Sequence, residues 1–185
     1  MKETAVIEST QRWLEKFVIQ LNLCPFAKRV TVKNRMRIAV TYALTEQQLL
    51  RALAFELDLL NESSVLETSL LIHPNVLNDF MDYNQFLDLV DGLLQEMKLE
   101  GVFQIATFHP HYQFNGTSFN DAENYTNRAP YPMLHLLSED SVEKAVKTYS
   151  NVEQIPVRNI ALMDNLGAAK LKQILADCLV ATNEK

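Results

Sequence analysis

At 185 residues the chain has the length of one compact domain, since domains usually run to roughly 100–200 residues. Hydrophobic residues make up 48% and charged ones 22%, enough apolar material for a core and no composition for disorder. The net charge of −6 speaks against nonspecific nucleic-acid binding as the main activity.

The first helix is expected over Thr4 to Leu23, where Val6, Ile7, Trp13, Phe17 and Leu21 fall at near-helical spacing; Pro25 stops it by disfavouring helix at Cys24. The basic stretch from Lys28 to Arg37, interleaved with Val30, Val32 and Met36, reads as a strand or loop with one solvated face. A strand follows over Met36 to Leu44, with Ile38, Val40 and Tyr42 on one side. Thr45 then caps a helix carrying Leu49, Leu53, Leu57 and Leu60, which breaks at Asn61 to Ser64. Val65 to Ile72 forms a second strand ending at His73-Pro74, and a helix from Asn78 or Asp79 carries Phe80, Tyr83, Phe86, Val90 and Leu94 at a 3.6 period. Val102 to Phe108 is a third strand ending at His109-Pro110.

Strands alternating with such helices imply crossovers, and hence an α/β domain with a small, mainly parallel sheet; a mixed or antiparallel α+β sheet is the alternative. From Pro110 to Met133 the pattern turns polar and aromatic, and Asn115-Gly116 suggests a type I′ hairpin turn. A short helix is expected over Ser141 to Tyr149 with Ser141 as cap. Ile155-Pro156-Val157 then links to a terminal helix over Leu166 to Ala181.

Phosphate-binding glycine fingerprints are absent from a chain with four glycines, as are the nucleophile-elbow, zincin, paired-cysteine and EF-hand patterns. Residues 1–42 carry net +5 and residues 43–127 net −11, which suits either solvated faces or an acidic-partner surface. With no secretory leader and no apolar run of roughly 18 residues, cytoplasm is the expected compartment and a membrane partner is not. Cys24 and Cys178 are expected to be reduced there, and the two glycosylation sequons at Asn115 and Asn124 to be accidental.

All four histidines lie between positions 73 and 135, outside the long helices. His73 and His109 sit at strand ends, where α/β sheets bind ligands. His73, His109 and His135, with Glu139 four residues on, could hold zinc or non-haem iron; alternatively each His-Pro is a strand terminus whose imidazole bonds a carbonyl. His111 is a candidate hairpin residue. Asn124, Asn127, Arg128 and Tyr131, with Thr126 and the nearby Tyr112, offer donors for a carboxylate or phosphate; the plainer reading is a loop tied down by its own side chains. Cys24 as a nucleophile is disfavoured by its place at a helix C-terminus. Asp82, with Tyr83 and Asn84, is the part of its helix nearest the expected site.

The runs QIATFHP from Gln104, YQFNGT from Tyr112, NYTNRAPYP from Asn124 and LHLL from Leu134 resemble a bacterial and plastid family known as domain of unknown function 1415. CPFA from Cys24, DFMDYN from Asp79 and Ile155-Pro156 extend the likeness over nearly the whole chain. The resemblance implies weight on His109, Asn124, Asn127, Arg128, Tyr131, Pro132 and His135 but not on His111, and it implies no reaction. The combined expectation is a crevice at His73, His109 and the 110–135 loop that binds a small anionic molecule. His109 and His135 would serve as acid/base groups or metal ligands, with Arg128 orienting the substrate. A noncatalytic interaction protein, using the basic 28–37 stretch and the acidic middle, is the competing class.

Overall fold

The computed structural model describes residues 2–149 and 151–181. Helix α1 (Glu3–Trp13) passes without a break into a π-helical stretch, Leu14–Ile19, and buries Val6, Trp13, Leu14 and Phe17. The helix expected to reach Leu23 therefore ends at Ile19 and widens before it ends. The basic segment is also different, because Ala27–Val32 forms a short helix, α2, before strand β1 (Met36–Val40). Val30 and Ala27 face inward at helical spacing while Lys28, Arg29 and Lys33 do not, so a helix serves the same burial as the expected strand.

Thr45 caps α3 (Glu46–Glu62) as expected, its hydroxyl accepting from the Gln48 amide at 3.2 Å. Strand β2 (Thr68–Ile72) follows, then α4 (Phe80–Glu96), whose Asp79 cap accepts from the amides of Met81 and Asp82. Strand β3 (Phe103–Phe108) leads into the polar segment. Beyond it lies a strand the sequence pattern did not announce, β4 (Met133–Ser138).

This fourth strand changes the topology. The sheet order is β1-β2-β4-β3, with β1 and β2 parallel and β4 antiparallel to both β2 and β3. The fold is a mixed α/β sheet rather than a mainly parallel one, and β2 and β3 are separated rather than adjacent. Leu134 and Leu136 point to one face while Met133, His135 and Leu137 point to the other, and both faces are covered. A strand buried on both sides shows no polar alternation, which is why MLHLLS carried no period-2 signal.

The C-terminal third departs further. Helix α5 (Glu139–Thr148) is capped by Ser138, which accepts from the Ser141 amide, so Ser141 is a first-turn residue and not the cap. The expected linker at Ile155 to Val157 is the start of α6 (Gln154–Leu166), where Pro156 sits in a first turn whose amides need no helical acceptor. Gly167, at φ 77°, turns the chain into α7 (Ala168–Ala176), so the terminal helix expected from Leu166 to Ala181 begins after that glycine and ends at Ala176.

Helices α3 and α4 cover one face of the sheet over Leu49, Leu53, Leu57, Leu71, Phe86, Val90, Leu134 and Leu136. The other face is covered by α1 with its π-helical end, α6 and α7, over Leu70, Ile72, Met133 and Met163. Under α3 the Glu56 carboxylate is sealed. It accepts from Arg37 of β1 at 3.0 Å and from the Ser69 hydroxyl of β2 at 2.9 Å, joining one helix to two strands. Replacing Arg37 with Met should leave that carboxylate with a single hydroxyl donor and lower unfolding stability by about 2–3 kcal/mol; urea denaturation checks this, with Arg12→Met, on an exposed pair, as the near-silent control.

Candidate functional site

The two His-Pro strand ends do meet at one end of the sheet, but they meet as packing. His73 and His109 are both fully buried and pack against the Tyr83 ring of α4, with centroids 5.7 and 5.2 Å away. His73 Nδ1 donates to the Val76 carbonyl at 3.0 Å, and His109 Nε2 donates to the Leu77 carbonyl at 3.2 Å. His109 Nδ1 accepts the His111 amide at 3.0 Å, so both of its ring nitrogens are engaged. Together the pair clamps the turn after β2, where Leu77 holds a left-handed φ of 57°. Tyr83 fastens the same end from α4, its hydroxyl donating to the Met133 carbonyl at 2.8 Å.

His135 is elsewhere. It pairs with Leu70 and Ala106 in mid-strand and points to the opposite face of the sheet from His73 and His109. Glu139 opens α5, past the end of β4, its amide donating to Val102. The four residues expected to share a metal are thus not brought together, because β4 is a strand whose alternation sends His135 away. Among the described residues no group of three or more His, Cys, Asp or Glu side chains could hold a metal ion.

The 110–132 segment is an ordered loop that fastens itself. Asn124 is fully buried; its Oδ1 accepts from the Phe114 amide and the Thr117 hydroxyl, and its Nδ2 donates to the Ser118 carbonyl. Arg128 donates through Nε to the Tyr112 carbonyl and through one terminal nitrogen to Phe119, with its guanidinium between the rings of Phe119 and Tyr125 at 4.6 and 4.5 Å. Asn127 donates to Thr107, and Tyr131 is buried in the apolar core. Of the groups expected to bind an anion, Asn124, Thr126, Asn127 and Arg128 are therefore engaged inside the protein. Asn115-Gly116 makes a turn closed by the Thr117 amide on Phe114, with a positive φ at Gly116 but not at Asn115. It is therefore not type I′, and no strands flank it.

The space that remains lies against the other face of the sheet, and the sequence did not point to it as a whole. A cavity of about 330 Å³ is bounded by Trp13, Leu14 and Val18 of the widened first helix, by Leu23 to Ala27, by Leu70, Ala106 and Phe108 of the sheet, and by Val142 and Ala145 of α5. Its lining is mostly apolar. Leu14 and Val18 belong to the π-helical stretch, a departure from α-geometry that recurs at functional sites. His135 and Thr68 stand on its floor, joined by 2.7 Å between Nε2 and Oγ1, and burial pushes the His135 pKa down to about 4. Arg29 and Glu67 stand at its edge as an ion pair that Arg35 joins at 2.5 Å. Cys24 lines the wall, and burial raises its thiol pKa, so it is a protonated side chain there. Asp82, by contrast, faces a separate open depression at the starts of α3 and α4.

A mixed α/β sheet thus lies between two helical layers, with a sizeable apolar cavity beneath the N-terminal helices. The sequence profile described as "protein of unknown function (DUF1415)" matches residues 5–173, and the chain belongs to that family. No curated protein and no solved structure matches it. Among the described residues no helix is long and apolar enough to cross a membrane.

Burial holds His73, His109 and His135 near pKa 4 against 6.5 for the free side chain. Unfolding therefore takes up protons between those values, so their contribution to stability is complete above pH 6.5 and is lost as the pH falls toward 4. Urea titrations at pH 7.5, 6.5 and 5.5 should show a falling midpoint below pH 6.5, at up to about 1.4 kcal/mol per pH unit for each histidine; a flat profile would contradict the burial of these rings as neutral groups. Arg128→Lys should cost about 2 kcal/mol and admit protease into the 110–132 loop, with the same loss in phosphate and chloride buffers.

Proposed function

We propose that the protein binds a small, mostly apolar molecule in the cavity under its N-terminal helices. The observation that carries this is the cavity itself. Protein interiors are packed to the density of organic crystals, and here about 330 Å³ is left between sheet and helices, within the size of small-ligand sites. The chain walls it with a π-helical turn and leaves its one tryptophan, Trp13, on its boundary.

This reading keeps His135 as a polar residue of the site and moves the site away from the crevice at His73 and His109. Arg128 and Asn124 support the site indirectly: Trp13 Nε1 donates to the Arg128 carbonyl at 3.1 Å, so the loop they hold positions the wall of the cavity. The competing interaction surface is weakened by the partners of its own charges, since Arg29 and Arg35 are paired with Glu67 and Arg37 with Glu56.

Ala106 projects into the cavity from β3 beside His135. Ala106→Leu should fill it, keep the melting temperature within a few degrees, and weaken binding of medium-chain aliphatic probes, read from Trp13 fluorescence, by at least about tenfold. Unchanged binding in that variant would place the ligand elsewhere and end the proposal.

A further inference from the structure

Resting on that reading of the cavity, we infer that its ligand is uncharged and donates a hydrogen bond to Nδ1 of His135, which makes His135 the residue that sets specificity. The tautomer follows from the neighbours. The Thr68 hydroxyl lies 2.6 Å from the Leu136 carbonyl, which can only accept, so the hydroxyl proton is there. The same oxygen lies 2.7 Å from His135 Nε2 and must accept from it. Nε2 carries the ring proton, and Nδ1 is left as a bare lone pair.

That lone pair has no hydrogen-bonding partner among the described residues, and it is not sealed in the way that His73 Nε2 is. His135 lines the cavity, and with Nε2 turned to Thr68, Nδ1 is the ring nitrogen left to serve it. Of the other polar side chains sent in from the strands, Thr68 is fully engaged, Ser138 accepts the Ser141 amide at the head of α5, and Gln104, two residues along β3 from the partner of His135, has no side-chain hydrogen bond among the described residues. Asn127 and Asn159, on the loop and on α6, each give one amide proton, to Thr107 and Leu23, and the Thr126 hydroxyl donates to Glu123. Arg29, at the edge, is paired with Glu67. An incoming carboxylate would thus meet a neutral imidazole lone pair and no free cation in the wall. A hydroxyl or N–H would find an acceptor already oriented, with the Gln104 amide beside it for a neighbouring polar atom. Acceptor-only molecules of the same shape would leave Nδ1 unmatched.

The test is a Trp13 fluorescence titration of the full chain at pH 7.5 with 1-octanol, 2-octanone and octanoate, which offer a donor, an acceptor and an anion on nearly the same apolar body. The expected order is 1-octanol about tenfold tighter than 2-octanone, with octanoate weakest. In His135→Phe the alcohol and the ketone should bind alike. If that variant does not fold, Thr68→Val, which releases the ring proton from Nε2 and lets the other tautomer form, should erode the preference for the alcohol. Equal or tighter binding of the ketone or the anion by the wild type overturns the inference while leaving the cavity as a binding site. No response to any of the three overturns the cavity reading and the inference with it.

Discussion

The insertion of β4 between β2 and β3 is the constraint on which the rest of the molecule depends. Its backbone completes the ladders of both neighbours, from Met133 beside Ile72 and Phe108 to Ser138 beside Phe103. Its side chains then supply both cores at once, Leu134 and Leu136 on the side of α3 and α4, Met133 and His135 on the side of α1 and α6. Because a strand alternates its faces, one residue of slip would exchange the two sets and put His135 among the leucines of the other core. Three strands that run in one direction are thereby held together by a fourth running against them.

Several features that look like chemistry in the sequence serve this insertion instead. The chain must travel from the end of β3 back to the start of β4 without leaving the sheet edge, and it does so in the 110–132 loop. Arg128, Asn124 and Asn127 replace the ladder bonds such a loop lacks, each donating to a backbone carbonyl. His73 and His109 close the same end of the sheet around Tyr83. Buried polar side chains with satisfied geometry specify one arrangement of a core, and His109, Asn124, Asn127 and Arg128 act in that way at this end of the sheet.

The opposite side is looser. There the first helix widens into a π-helix at Leu14–Ile19, α2 is a short helix held by the Arg29–Glu67 pair, and a cavity lies between them and the sheet. The strands thus fix the polar floor of the cavity and the helices give its apolar walls.

The sequence by itself determined the local pieces whose signals are short-range. Thr45 and Asp79 as caps, the apolar stripes of α3 and α4, and the strand ends at the two His-Pro dipeptides are set by neighbours within a few residues, and they were legible. The tertiary structure alone decided the rest. MLHLLS hides its period because both of its faces are buried, so neither the fourth strand nor the mixed sheet could be read from it. The same strand placed His135 on the far face from His73 and His109, separating a supposed cluster into a clamp and a cavity floor. Whether Arg128 meets a ligand or its own loop, and whether an imidazole is left with a free lone pair, depends on partners such as Tyr112 and Thr68 that lie 16 and 67 residues away in the chain. Spacing in sequence carries no information about contacts at that separation, and it is those contacts that distinguish a scaffold residue from a site residue here.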